Sequence, residues 1–450
     1  MMLFLGLFLI ALLVLSFPSV SIFKQQNMVM AQQYVQTIKY RNLVIDLGNG
    51  VKTNAQLTYP AVGKGPFPAV LLVPGSGPVD KNETLGFVHK NGPTPPTPAW
   101  QIAQYLSERG FAVLRYDKRG VGANFTILDK NVWGNLTIND LKHDAQKALA
   151  VLIQQPGVDP NKITVIGHSE GTMITPRVAI DNATKVKNIV LMGDVAQNMH
   201  DIVYFQMVNL PLLYVEKFLD HNHDGLLSVS EASKNPVFNS VVGNFTLLLE
   251  TSNGTKRQLS PEYNTNKDAY ISINNELKPK LVAQFESLSA VRPDQKCPGP
   301  KICPTWFKSV YAVEPALSII GNVSKSIGIL ILNGENDSQT PVQQAFLLQQ
   351  RLTDVNHPDH TLITYPNLGH VFYPSFEWQT RLGPLPQYVL VDIYAWLESH
   401  SGLSLFYKED SFTTFIAEFF FKTCQQRDVI AHLSLVASID HSQGTASWVS

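Results

Sequence analysis

A chain of 450 residues with 44% hydrophobic and 16% charged side chains has room for one large core with an insertion. Its 35 Lys and Arg against 36 Asp and Glu leave a formal net charge of -1, which provides no basic field for nucleic acid or an anionic membrane surface. No repeat at a solenoid period is visible.

Residues 1–31 form a separate leader. Met1 to Phe23 is almost wholly apolar, and Leu3 to Leu15 has the length of a signal-peptide core interrupted at Pro18. Val29-Met30-Ala31 offers small outer residues for cleavage before Gln32. About 20 apolar residues can also span a bilayer, so the leader is expected to be a cleaved signal peptide or an uncleaved anchor. Either places the body outside the cytoplasm, secreted or on the cell surface, and only the anchor would touch membrane. Sequons at Asn82, Asn124, Asn135, Asn182, Asn244, Asn253 and Asn322 suit a glycosylated exterior protein. Cys297 and Cys303 flank a tight turn that would allow a small disulfide, and Cys424 is left over.

The body, residues 32–196, opens with strands at Leu43–Asp46 and Ala55–Tyr59 around Gly48-Asn49-Gly50. Ala69–Val73 is a fully apolar run, the pattern of a strand covered on both faces. It ends in Pro74-Gly75-Ser76-Gly77-Pro78. A helix at Trp100–Arg109, a strand at Phe111–Tyr116, a helix at Ile138–Gln154 and a strand from Ile163 follow. A helix at Gly171–Ile180 and a strand at Val186–Met192 complete this part. Strand and helix alternate with short loops, which predicts a parallel sheet flanked by helices. Residues 197–325 break the alternation and read as a helical or irregular cap inserted over the C-terminal strand edge, where open α/β sheets place their sites. It resumes in residues 326–402, with strands at Gly328–Leu332 and His360–Tyr365 and helices at Pro341–Leu352 and Leu385–Leu397. Residues 403–450 have no partner in this scheme.

Four β-branched or apolar residues run into Gly167-His168-Ser169-Glu170-Gly171, a strand–turn–helix setting that lifts a serine hydroxyl clear of the sheet. A serine nucleophile needs a base and an acid to orient it. The chain supplies Asp337 after one later strand and His370 after the next, with Glu335 as the competing acid. Hydrolysis also needs donors for an oxyanion. The backbone N–H of Glu170 and that of Ser76, with Gly77 as alternative, stand at the expected places.

With these motifs on the page, Leu43 to Leu397 apart from the cap resembles the α/β-hydrolase superfamily. The Gly-Ser-Gly-Pro loop, Asp117-Lys118-Arg119-Gly120-Val121-Gly122 and the elbow at Ser169 are similar to those of the serine aminopeptidase-like and dienelactone-hydrolase-like esterases. The resemblance implies hydrolysis of carboxylic esters, or less often amides, without an organic cofactor. Thr172 departs from a smaller residue common among such proteins.

Inside the cap, residues 220–231 read as an EF-hand loop. Asp220, Asn222 and Asp224 supply oxygens at positions 1, 3 and 5, Gly225 makes the turn, and Leu226 offers a carbonyl. Ser228 holds a ligand or water, and Glu231 closes the site. A structural Ca2+ is expected. The substrate is expected to be a small ester or, for a serine exopeptidase, a short peptide; the alternative outside enzymes is a non-catalytic, calcium-dependent surface binding protein.

Overall fold

The structure, a computed structural model, describes residues 37–85, 96–233, 248–252, 256–290, 304–376, 379–380 and 383–402. The leader, the three cysteines, the sequons at Asn244 and Asn253 and the tail from residue 403 lie outside the described residues.

Eight strands form the central sheet: β1 (Ile38–Gly48), β2 (Val51–Pro60), β3 (Phe67–Val73), β4 (Ala112–Tyr116), β5 (Val158–His168), β6 (Val186–Met192), β7 (Gly328–Gly334) and β8 (His360–Tyr365). They lie in the order β1-β2-β4-β3-β5-β6-β7-β8. β1, β2 and β4 pair antiparallel in sequence, and every pair from β4 through β8 is parallel.

Burial on both sheet faces explains the apolar strands. In β3, Ala69, Leu71 and Val73 face one core with helices α2 (Ile138–Ile153), α3 (Glu170–Asp181) and α4 (Gln343–Asp354). Val70 and Leu72 face the other, with α1 (Pro98–Ser107) and α5 (Gln387–Ser401). Each fully buried Val or Leu contributes roughly 1.5–3 kcal/mol. The start of α2 is set by a capping box in which Thr137 and Asp140 satisfy each other's backbone N–H groups.

Among the described residues between β6 and β7, no strand joins this sheet. Helical backbone runs from Met199 to Phe218, with a π-helical turn at Phe205–Asn209 shortly before Pro211. Besides this mainly helical backbone, the insertion carries two short ladders. Leu226–Ser228 pairs with Tyr270–Ser272, and Leu249–Ser252 with Lys256–Leu259, both antiparallel. Ladders of three or four residues are too short for an alternating pattern to stand out. Helices at Lys278–Ser289 and Pro304–Ala312 complete the insertion. Among the described residues no helix is long and apolar enough to cross a membrane.

Candidate active site

Ser169 sits between β5 and α3 with φ 54° and ψ -116°. Such a backbone costs on the order of 1–3 kcal/mol and persists only where surrounding structure enforces it. The enforcement is visible. A Cβ on Gly167 would lie 2.3 Å from the Gly171 carbonyl oxygen, and one on Gly171 would lie 2.4 Å from that of Val73. Both positions therefore require glycine. The Ser169 N–H donates to the Met192 carbonyl at 2.8 Å, and the Thr172 hydroxyl donates to the Ser169 carbonyl at 2.6 Å. Thr172 also accepts from the Val195 N–H at 3.0 Å, so its extra side chain ties the elbow to the loop after β6.

His370 and Asp337 come together as expected from their positions after β8 and β7. His370 Nδ1 lies 2.8 Å from Asp337 Oδ2. The other Asp337 oxygen accepts the N–H groups of Gln339 and Thr340, each at 2.8 Å. The Thr340 hydroxyl donates to Asp337 Oδ2 at 2.9 Å and stands 3.1 Å from His370 Nδ1. Glu335 instead accepts from Thr364 at 2.8 Å, away from the imidazole. The turn after β6 abuts His370: a Cβ on Gly193 would lie 3.1 Å from His370 Cε1. Among the described residues, His370 Nδ1 contacts Asp337 and Thr340, and no hydrogen bond joins His370 to Ser169.

The loop after β3 abuts the serine, since a Cβ on Gly75 would stand 3.2 Å from Ser169 Cβ. The Gly75 N–H is taken by Glu83 Oε1 at 2.6 Å, which leaves the next residue, Ser76, as the donor candidate. Glu170 opens α3, where the first N–H groups have no intrahelical partner.

Residues 99–374, more than half of the chain, match the family described as serine aminopeptidase, S33. The chain belongs to this family. Among similar curated proteins, the esterase EstD of Thermotoga maritima is 35% identical over 152 residues, 34% of this chain and 32% of that one. The esterase FrsA of Yersinia pestis is 23% identical over 181 residues, 39% of this chain and 38% of that one. The matches thus span about a third of the length of these relatives. A carboxyl esterase of Bacillus coagulans superposes over 80% of this chain and 98% of its own, with 15% identity and a TM-score of 0.46.

Several residues around this serine aminopeptidase-family elbow escape a motif reading. Lys118, from the glycine-rich turn after β4, donates to the Gly75 carbonyl at 2.9 Å and pairs with Glu170 Oε2 at 2.5 Å, both side chains buried. Trp306, from the insertion, donates its indole N–H to the other Glu170 oxygen. His168 lies 3.3 Å from Glu83 Oε1 and 3.3 Å from the His370 carbonyl. Burial alone would lower the His168 pKa, but the charge and hydrogen bond of Glu83 outweigh it and raise it. Burial would raise Glu83, and His168, the Gly75 N–H and Lys118 together lower it. Asp194, fully buried with neither carboxylate oxygen partnered, is pushed well up by burial and then by Asp337.

A cleft of about 560 Å3 opens beside Asp337, bounded by Asp201, Tyr204 and Leu213 of the insertion and by Glu335 and Gln343 of the core. Ser169 does not line it.

The loop at 220–231 folds on itself. Asp220 is 4% exposed, and its carboxylate accepts the N–H groups of Asp224 and Gly225 at 3.2 and 3.0 Å. Asp224 accepts from the Leu226 N–H at 2.8 Å, and Glu231 from Ser228 N–H at 2.9 Å. Gly225 makes its turn at φ 76°, and His221 and His223 are exposed. Among the described residues no three His, Cys, Asp or Glu side chains converge at metal-holding distance. The all-oxygen donor set still suits a hard cation, for which Glu231 would turn from Ser228 toward the loop centre.

Proposed function

We propose that the chain is an exported serine hydrolase that cleaves carboxylic ester bonds. The observation that carries this reading is the 2.8 Å contact of His370 Nδ1 with Asp337 Oδ2, set beside a serine at φ 54°. In the reaction, Ser169 Oγ attacks the ester carbonyl and His370 Nε2 takes its proton. Asp337 holds the Nδ1–H tautomer and stabilises the imidazolium that forms. The Glu170 and Ser76 N–H groups receive the oxyanion. Collapse expels the alcohol, protonated by His370, and leaves an acyl-Ser169. Water, deprotonated by the same imidazole, then releases the acid.

The esterase names of EstD and FrsA support ester over amide. The family description favours a second reading, an exopeptidase acting on short peptides. Export is supported by the apolar leader and the sequons. Calcium is supported by the buried Asp220 within a loop that carries oxygen-bearing side chains at positions 220, 222, 224, 228 and 231. The ion would stiffen the insertion, which stands away from the serine in sequence, and no catalytic step needs it.

A fluorophosphonate probe tests the nucleophile. The chain is expected to label, and Ser169→Ala to remain unlabelled; labelling of that variant overturns the assignment. Turnover of p-nitrophenyl esters against aminoacyl anilides separates esterase from peptidase.

A further inference from the structure

Residues 264–276 repeat the central hydrogen bonds of the loop at 220–231. The two segments pair antiparallel at their centres, with Leu227 opposite Ile271, both fully buried. Asn266, Asp268, Tyr270 and Ser272 each stand 44 positions after Asn222, Asp224, Leu226 and Ser228. In the first loop Asn222 Nδ2 donates to Asp224 Oδ2, the Asp224 N–H to Asn222 Oδ1 and the Leu226 N–H to Asp224 Oδ1. In the second, Asn266 Nδ2 donates to Asp268 Oδ2, the Asp268 N–H to Asn266 Oδ1 and the Tyr270 N–H to Asp268 Oδ1. His223 and Lys267, again 44 apart, both take a left-handed backbone, φ 56° and 61°.

The closing glutamate follows the same plan with one added residue, and Glu276 Oε1 accepts in addition the Thr265 N–H and hydroxyl and the Asn266 N–H. Ser228 N–H donates to Glu231 Oε2 at 2.9 Å, and Ser272 N–H to Glu276 Oε2 at 2.9 Å. The added residue is taken up in a π-helical turn at Ile273–Leu277. Ala269 replaces Gly225 and lacks its left-handed φ, so the second loop rounds its turn differently.

What points to a ligand is Asn264, which stands 44 positions after Asp220, at the start of the loop. It is only 7% exposed. Its Nδ2 reaches across the loop to the Asp268 carbonyl at 2.8 Å, which places the amide inside. Its Oδ1 is buried with no hydrogen-bond partner. Buried amide oxygens are almost always satisfied, and this one lacks only a donor or a cation.

We propose that this second loop binds Ca2+, forming a paired site with the first. The proposal rests on the calcium reading of residues 220–231. Asn264 Oδ1, Asn266 Oδ1, the Asp268 and Glu276 carboxylates and the Tyr270 carbonyl supply most of the six to eight oxygens that Ca2+ takes, and water completes the shell. With two carboxylates against three in the first loop, the second holds its ion more weakly.

The chain, stripped with EGTA, is titrated with CaCl2 by isothermal titration calorimetry, and bound ions are counted by equilibrium dialysis. Two ions per chain are expected, with one remaining in Asp220→Ala and one in Asn264→Leu. Asn264→Asp adds a charged ligand and is expected to tighten the weaker ion about tenfold. A misfolded variant cannot bind more tightly, so this arm stands even where Asn264→Leu fails to fold. A single ion that Asp220→Ala removes and neither Asn264 variant changes overturns the second site and leaves the first. Absence of bound Ca2+ in all four proteins overturns both.

Discussion

Glu83 Oε1 accepts the Gly75 N–H at 2.6 Å and faces His168 Nδ1 at 3.3 Å. One carboxylate thus holds the loop after β3 and the residue before the nucleophile in a single arrangement. His168 passes the constraint on, since its Nε2 lies 3.3 Å from the His370 carbonyl.

This pair predicts a pH-dependent stability. The raised His168 pKa adds stability that is complete below its ordinary value of 6.5 and is lost as pH rises through the folded value. The lowered Glu83 pKa adds stability complete above its ordinary 4.5 and lost as pH falls through the folded value. Glu83→Gln is therefore expected to cost about 1–3 kcal/mol between those limits. Melting curves of the two proteins should converge toward pH 9; a constant gap across the range excludes the charge pair as its source.

Replacing the triad should cost activity without costing the fold. Ser169→Ala is expected to lower kcat by roughly four to six orders of magnitude, and Asp337→Asn by about four. Thr340→Val removes the hydroxyl that donates to Asp337 Oδ2 and should lower kcat about tenfold with KM unchanged. Equal kcat values for Thr340→Val and the parent would show that the hydroxyl orients nothing.

Lys118 and Glu170 form an ion pair with side chains 1% and 0% exposed. Lys118→Met leaves a buried carboxylate with Trp306 as its remaining side-chain donor among the described residues and is expected to destabilise by about 3–5 kcal/mol in urea unfolding. Trp306→Phe removes one neutral donor to that carboxylate and should cost about 1–2 kcal/mol. A smaller loss for Lys118→Met than for Trp306→Phe would contradict this ordering.

Asp194 carries a carboxyl whose neutral form is favoured by burial. In the unfolded chain it ionises above its ordinary value of 3.8, so the folded state loses ground as pH rises past that point. Asp194→Asn is expected to melt higher than the parent at pH 7 and at the same temperature near pH 3. Lower stability of the variant at pH 7 would mean that the charged form is what the fold keeps.

The strands β6 and β8 were legible residue for residue, because each is an unbroken run bounded by turn-forming residues. The positions of Ser169, Asp337 and His370 were legible from order alone: each of these candidates follows a strand that can be read locally. Glu83 and His168 were not, being 85 positions apart and joined only once β3 and β5 lie side by side. Trp306 meets Glu170 across 136 positions, with nothing local to mark either. The loop at Asn264 stayed hidden because Ala269 and one added residue break the spacing that makes its partner recognisable. A sequon is equally blind to its surroundings: Asn82 Oδ1 accepts from the buried Arg115, so this side chain is tied into the fold.

The indole of Trp306 is one of several stitches along its helix. Ser309 Oγ accepts the Ile138 N–H at 3.0 Å, and Arg177 donates to the Glu314 carbonyl. The last part of the insertion is thus riveted to α2 and α3, the helix that Ser169 precedes. The helix of Trp306 stands as a fixed jamb beside Ser169, fastened from the core side.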